Sequence, residues 1–285
     1  MAVAIGRLRP DVRQGGMTKV SRLALGRVLI VAGSDPSGGA GVQADIKTVT
    51  ALGGYAASAI TAITVQNTLG VSAVYELEPK LVAAQARAVL DDIGADAIKI
   101  GMLGRARTVQ VVADLLDAAT GVPAVIDPVM IAKGGASLLR AKAVDAVRRL
   151  LVPRADLLTP NAPEAAALVG FEVHTVDDQR RAGEALLKAG ARAVLLKGGH
   201  IAGDRVIDLL FTPDGETAFE GPRLDTRHTH GTGCTLASAC ATGLAQGMEL
   251  VDAVARAWAY TGEAIRRAPG FGAGHGPLDH AWPVR

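Results

Sequence analysis

Apolar residues along the chain fall into short, unbroken runs separated by longer segments of helical period. Val28-Leu29-Ile30-Val31-Ala32, Ala97-Ile98-Lys99-Ile100, Ala124-Val125-Ile126, Asp156-Leu157-Leu158-Thr159 and Ala193-Val194-Leu195-Leu196 are bounded by turn residues and too short for helices. They predict strands buried on both faces of a parallel sheet. Ser58 to Val65 alternates and predicts a further strand, with polar Gln66, Asn67 and Thr68 at its end. Between these runs, Val42, Ile46, Val49 and Leu52 recur at i, i+4, i+7 and i+10, the stripe of an amphipathic helix. Further helices are predicted from Pro79, over 108–119, over 141–151, from Pro163 as first helical residue, over 181–189, through the alanine-rich 237–245, and over 251–266. Residues 206–211 and 216–219, around Pro213-Asp214-Gly215, predict a small edge hairpin. Strand, loop and helix repeat about six times without a linker, so residues 27–285 read as one α/β domain: a mostly parallel central sheet with helices on both faces.

Composition sharpens this picture. Of 285 residues 49% are hydrophobic but only 3% aromatic, so the core is built from Ala, Val, Leu and Ile. The net charge of +2 hides a basic segment. Residues 1–27 hold six basic side chains and one acid, leaving 24 basic against 27 acidic residues, a net of −3, for the remainder. A nucleic-acid partner is therefore not expected. Residues 1–26 read as a basic, disordered tail, or as a start placed upstream of Met17. No run approaches the roughly 18 apolar residues of a membrane span. The two cysteines, Cys234 and Cys240, stand six apart, which does not put them on one helix face; neither a disulfide nor a metal pair is indicated, and a cytoplasmic location is expected.

The chemistry sits at the strand ends. Gly33-Ser34-Asp35-Pro36-Ser37-Gly38-Gly39-Ala40-Gly41 is a glycine-rich loop between a strand and a helix, but it matches neither the P-loop nor the dinucleotide-binding spacing. Asp127 ends a strand directly before Pro128, and residues 130–138 read as a mobile loop, a candidate lid. Thr229-His230-Gly231-Thr232-Gly233-Cys234-Thr235-Leu236 runs straight into a predicted helix beginning near Cys234. Gly231 and Gly233 leave backbone N–H groups bare, and the helix adds its positive end, so together they suit a phosphate or a developing oxyanion. An ordinary helix entry with flexible glycines has the same sequence, and the octapeptide alone does not choose between the two.

Taken together these loops show a resemblance. Residues 32–45, 61–68, 99–103, 127–129, 159–164, 197–200 and 230–234, in that order, with Gly274-His275-Gly276-Pro277 closing the chain, resemble the hydroxymethylpyrimidine/phosphomethylpyrimidine kinases of thiamine biosynthesis. The resemblance implies the single-domain ribokinase-like fold, three-layer α/β/α. It also implies ATP as phosphoryl donor, Mg2+ as cofactor, a small pyrimidine alcohol as acceptor, and a homodimer. The acceptor would be 4-amino-5-hydroxymethyl-2-methylpyrimidine, phosphorylated once and then again. Gln66 would read the pyrimidine, its amide both donating and accepting. Gly33, Ala40, Thr64, Met102 and Val129 would line the ring, with Asp45 near its polar edge. Asn161 and Lys197 would serve the nucleotide phosphates, and Glu164 and Asp127 the metal. Gly231, Thr232, Gly233 and Cys234 would form the catalytic cradle.

Cys234 stands where sugar kinases of this fold carry Asp. A thiol at a helix N-terminus has its pKa lowered from about 8.5, which would suit a base, although a neighbouring phosphate opposes the thiolate. The N–H groups of 231–234 are therefore expected to supply the larger share of catalysis and the sulfur the smaller. Cys240 reads as packing. Pyridoxal kinase, which shares the fold and the Gly-Thr-Gly-Cys end, is the nearest alternative; a sugar kinase is disfavoured by Cys234, and an ATP-binding regulator without catalysis is the alternative from another class.

Overall fold

A computed structural model describes residues 25–130 and 141–285 of the chain. β1 (Arg27–Ser34) leads to α1 (Gly41–Ala51), the hairpin of β2 (Tyr55–Asn67) and β3 (Gly70–Glu76), and α2 (Pro79–Asp92). Then come β4 (Ala97–Ile100), α3 (Ala106–Ala118), β5 (Ala124–Ile126), α4 (Ala141–Ala146), β6 (Leu157–Leu158), α5 (Ala162–Val169), α6 (Val176–Lys188) and β7 (Val194–Leu196). The hairpin of β8 (Arg205–Thr212) and β9 (Gly215–Pro222) precedes α7 (Thr232–Ala245) and α8 (Leu250–Arg266). The strands form one nine-stranded sheet in the order β3-β2-β1-β4-β5-β6-β7-β8-β9. From β2 to β7 neighbouring strands are parallel; β3 at one edge and β8 and β9 at the other are joined by antiparallel pairs.

The period of two along each central strand divides the core into two layers. Leu29 and Val31 of β1, Ile98 and Ile100 of β4, and Val194 and Leu196 of β7 pack in the layer that holds the buried faces of α2, α3 and α6. Their neighbours Val28, Ile30 and Ala32, Val125, Leu157 and Leu195 pack toward α1, α7 and α8. Each fully buried Leu or Ile contributes roughly 1.5–3 kcal/mol by leaving water. The second layer is thin because α7 presents Ala237, Ala239, Cys240 and Ala241, all fully buried. A Cβ on Gly243 would stand 2.6 Å from that of Ala253, so α7 and α8 approach closely only through a glycine. Cys240 is packing, as expected.

The three-layer fold and the edge hairpin agree with the sequence pattern, with instructive exceptions. β3 has no periodic signal: it is a largely exposed strand paired with β2 at the sheet edge. α6 starts at Val176, not 181, because Thr175 and Asp178 close a capping box that ends the preceding loop early. Pro163 is the second helical residue rather than the first, since Asn161 is the N-cap of α5. α7 begins at Thr232, two residues before the predicted start. The single helix predicted over 141–151 is α4 followed by a π turn at Val147–Leu151. All of the predicted lid at 130–138 except Met130, and all of the predicted tail at 1–26 except Leu25 and Gly26, lie outside the described residues; the Gly26 carbonyl accepts from the Tyr55 N–H at 2.9 Å. Among the described residues no helix is long and apolar enough to cross a membrane.

Candidate active site

The C-terminal ends of the parallel strands open into a cavity of about 150 Å³. Its far wall is the entry to α7. Gly231 caps the helix with φ 85°, and a Cβ there would collide with the Gly39 carbonyl, so the two glycine-rich loops touch backbone to backbone. The Thr232 N–H is taken by the Thr229 carbonyl at 3.4 Å, and the Thr235 N–H by the Gly231 carbonyl at 2.9 Å. The N–H groups of Gly233 and Cys234 therefore remain as first-turn donors without an intrahelical acceptor, at the positive end of a 14-residue helix.

Charged groups gather beneath that entry. Lys197, at the end of β7, donates to Asp127 Oδ1 at 2.8 Å and lies 3.9 Å from Glu164 Oε2. A Cβ on Gly233 would stand 3.1 Å from the Lys197 Nζ, which places the ammonium directly under the bare turn. Burial works against the Lys197 charge, but Asp127 and Glu164 outweigh it and hold the pKa above the ordinary lysine value. Asn161 and Glu164 exchange hydrogen bonds as a capping box at 2.8 and 2.9 Å. Burial, with Asp127 adding to it, pushes Glu164 up to about 7 against the pull of Lys197. Among the described residues no three acidic, His or Cys side chains converge as a metal cage. Asp127 and Glu164, each already hydrogen-bonded, fit a hard cation that keeps its water and phosphate ligands better than one bound directly by protein.

The adjoining wall carries the recognition groups. Gly33, Ala40, Thr64, Gln66, Met102 and Val129 all line it. The Thr64 hydroxyl donates to the Ser34 carbonyl at 2.8 Å and stands 3.3 Å from the Gln66 Oε1. The Gln66 Nε2 is 3.3 Å from the His230 Nε2, which is itself 2.8 Å from Asp35 Oδ2. Asp35 also accepts the Ser37 and Ala40 N–H groups, both at 2.9 Å. Burial alone would raise its pKa, but the bonds from His230 and Ser37 hold it below the ordinary carboxylate value. The closing loop of the chain is a strap between these walls. The His275 N–H binds the Thr68 carbonyl at 2.8 Å, the His230 N–H binds the Gly276 carbonyl at 3.1 Å, and His280 meets Thr235 of α7 at 3.0 Å.

The structure thus brings together Gln66, Gly33, Ala40, Thr64, Met102, Val129, Asp127, Asn161, Glu164, Lys197, Gly231, Gly233 and Cys234 around one cavity. Three expectations need correction. Asp45 is not at the cavity edge: it is fully buried, bound by the Lys99 ammonium at 2.8 and 2.9 Å and by the Ser238 hydroxyl at 2.7 Å. Thr232 is off the wall, its hydroxyl and N–H both turned back to the Thr229 carbonyl. The Cys234 thiol is not acidic: burial, with Asp45 and Asp127 adding to it, pushes it up to about 12 despite Lys99 and a backbone bond from Gly41. Sequence reasoning assigned no site role to six lining residues, Ala32, Ser34, Gly41, Lys99, Asp35 and His230, of which the last three are ionisable. A lysine within an apolar strand run, and a histidine beside the bare glycines, were the available signals.

A bare helix mouth over a lysine–carboxylate cluster, with the Gln66 amide beside it against His230, 164 residues away in sequence, is suited to presenting an alcohol to a phosphate chain. Fold and site together define a small-molecule kinase of the ribokinase-like class. Comparison with known proteins narrows the class. The phosphomethylpyrimidine kinase family model matches residues 35–279. A hydroxymethylpyrimidine/phosphomethylpyrimidine kinase of Streptomyces coelicolor is 51% identical over 257 residues, 90% of this chain and 95% of that protein. A crystal structure of phosphomethylpyrimidine kinase from Clostridium difficile matches with TM-score 0.75 and 41% identity, over 84% of this chain and 99% of that one. An ADP complex of Bacillus subtilis pyridoxal kinase matches with TM-score 0.85 and 33% identity, over 92% of this chain and all of that one. The chain belongs to the phosphomethylpyrimidine kinase family, and it is a phosphotransferase.

Proposed function

We propose that the protein transfers the γ-phosphoryl group of ATP to the 5-hydroxymethyl oxygen of 4-amino-5-hydroxymethyl-2-methylpyrimidine, and then phosphorylates the monophosphate, in thiamine biosynthesis in the cytoplasm. The observation that carries this reading is the single cavity shared by Gln66 and the α7 mouth. An aminopyrimidine offers a donor beside an acceptor, and the Gln66 amide answers both. With the ring held by Gln66 between Met102 and Val129, its hydroxymethyl group faces Gly233 and Cys234. Lys197 and Asn161 receive the nucleotide phosphates. Asp127 and Glu164 would hold Mg2+ through its water ligands; when bound, the ion neutralises charge on the phosphate oxygens.

Transfer through a loose transition state asks the protein for position and charge stabilisation more than for a strong base. Cys234, held as the thiol, does not deprotonate the hydroxyl beforehand; the hydroxyl proton leaves as the oxygen attacks, toward Asp127 or a phosphoryl oxygen. The N–H groups of Gly233 and Cys234 and the Lys197 ammonium then take the negative charge.

The homodimer belongs to the same proposal. Ile63, Val65 and Tyr75, on one face of the β2–β3 edge, are exposed, and a second copy would cover them. Light scattering at micromolar concentration reading a single-chain mass would end that part. The substrate assignment is tested by ADP release with hydroxymethylpyrimidine, its monophosphate and pyridoxal supplied separately. Turnover of both pyrimidines is expected. A higher kcat/KM for pyridoxal would replace this reading with the vitamin B6 alternative, and silence with the monophosphate would remove the second step.

A further inference from the structure

Val28, Ile30 and Ala32 of β1, Val125 of β5, Leu157 of β6 and Leu195 of β7, all turned toward α1, α7 and α8, are apolar, and β1 becomes polar on that side at its last residue, Ser34, whose Oγ accepts from the Gln43 Nε2 of α1 at 2.8 Å. Lys99 of β4 breaks that pattern. It lies in register between Ile30 and Val125, in the middle of the parallel sheet, and none of it reaches solvent. Both oxygens of Asp45 from α1 take its ammonium, at 2.8 and 2.9 Å, and Ser238 from α7 donates to Asp45 at 2.7 Å. Taking two charges out of water costs several kcal/mol each, and well-packed apolar residues of equal volume are commonly as stable or more so. Stability alone therefore does not account for an ion pair here.

Its orientation supplies an account. Lys99 borders the cavity beside Gly233 and Cys234, whereas Asp45 does not, so the pair turns its positive end to the α7 mouth. The chain makes room for that charge: a Cβ on Gly101 would stand 3.0 Å from the Lys99 Nζ and 3.1 Å from the Ala32 side chain. Burial opposes the Lys99 charge, but the Asp45 and Asp127 carboxylates outweigh it and hold the ammonium protonated well above the ordinary lysine value.

We propose that Lys99 is a positioning residue for phosphoryl transfer: its charge, fixed from behind by Asp45 and Ser238, keeps the back of the α7 mouth electropositive and seats the travelling phosphoryl group against the Gly233 and Cys234 N–H groups. The inference rests on the reading that this mouth receives the phosphoryl group, and is independent of which alcohol accepts it. Lys197 serves the phosphates from the cavity floor; Lys99 acts from inside the sheet, without touching them.

Replacing Lys99 alone would strand a buried carboxylate and unfold the protein, so the test uses two neutral pairs. Lys99→Met with Asp45→Asn removes both charges, and Lys99→Gln with Asp45→Asn also keeps a hydrogen-bonded pair. ADP release is measured with whichever alcohol the parent turns over, so that a wrong substrate assignment does not touch the result. The expected outcome is a folded protein, a kcat lower by roughly 30- to 100-fold, and a KM for the alcohol within about threefold of the parent, because only the phosphoryl end loses its field. Either pair, folded and turning over within about threefold of the parental kcat, would overturn the proposal. So would a loss that falls on the alcohol KM instead.

Discussion

The two rims of the sheet differ in a way that size does not explain. At the N-terminal ends of the strands, a cleft of about 520 Å³ lies between α2 and α3, lined by Arg27, Arg87, Asp91 and Asp114 over an apolar floor. At the C-terminal ends the cavity is about 150 Å³. The larger cleft has charges of both signs at its edge, and Arg27 spends its guanidinium on Asp96 at 2.6 Å and on the Ile93 carbonyl. The smaller one collects first-turn N–H groups, a buried lysine–carboxylate cluster and an oriented amide. Recognition of a phosphate chain needs preorganised donors in a poorly solvated place, and only the second rim offers them. Volume alone would have chosen the wrong end.

That contrast breaks most directly at Gly231. Gly231→Ala puts a side chain into the Gly39 carbonyl at a residue with φ 85°, and the α7 mouth must shift. A kcat loss of roughly 100- to 1,000-fold is expected, the size that follows removal of an aligned donor. Cys234→Ala keeps the backbone and removes a thiol that stays protonated, so a loss of about tenfold or less is expected. Arg87→Ala, in the larger cleft, is expected to leave kcat and KM within about twofold. Steady-state kinetics on the three variants checks the order. A Cys234→Ala loss as large as that of Gly231→Ala would give the sulfur the role assigned here to the backbone.

How much of this was legible beforehand follows from what local sequence encodes. Strand runs such as Val28 to Ala32 and the glycine-bounded loops are local signals, and they placed the layers and most of the lining residues. β3 escaped because edge pairing with β2, rather than its own periodicity, makes it a strand. Asp45 was misplaced because its position in a glycine-loop helix says nothing about which way it turns. The answer lay 54 residues on, in the lysine of an apolar strand. The Cys234 acidity was misjudged for a similar reason. Helix position is local, whereas burial and two nearby carboxylates come from α1 and the end of β5. Asp35 and His230, 195 residues apart, form a pair that no spacing rule reports.

The smallest expected effect concerns the strap that ties the closing loop to α7. His280 is buried, its Nε2 3.0 Å from the Thr235 hydroxyl, while the Tyr260 hydroxyl donates to its carbonyl. Burial first, then the Lys47 and His230 charges, lower its pKa from 6.5 to about 4, with Asp279 opposing. A histidine that resists protonation when folded stabilises the protein fully above 6.5, where the unfolded chain is neutral too. That stability is lost as pH falls from 6.5 through 4, because the unfolded chain takes up the proton first, a contribution of about 2–3 kcal/mol. Glu164, raised to about 7, runs the other way: its contribution is complete below 4.5 and is lost as pH rises through 7. The parent curve therefore mixes both slopes, and only a difference between variants isolates the strap. His280→Gln keeps a partner for Thr235 and removes the titration. At pH 7.5 its kcat is expected within about twofold of the parent, since the α7 mouth is untouched. Its unfolding free energy in urea should fall less steeply than the parent's between pH 6.5 and 4, by about 2–3 kcal/mol across the window. Parallel curves would mean that His280 titrates as an exposed histidine does, and that the strap opens before the domain unfolds.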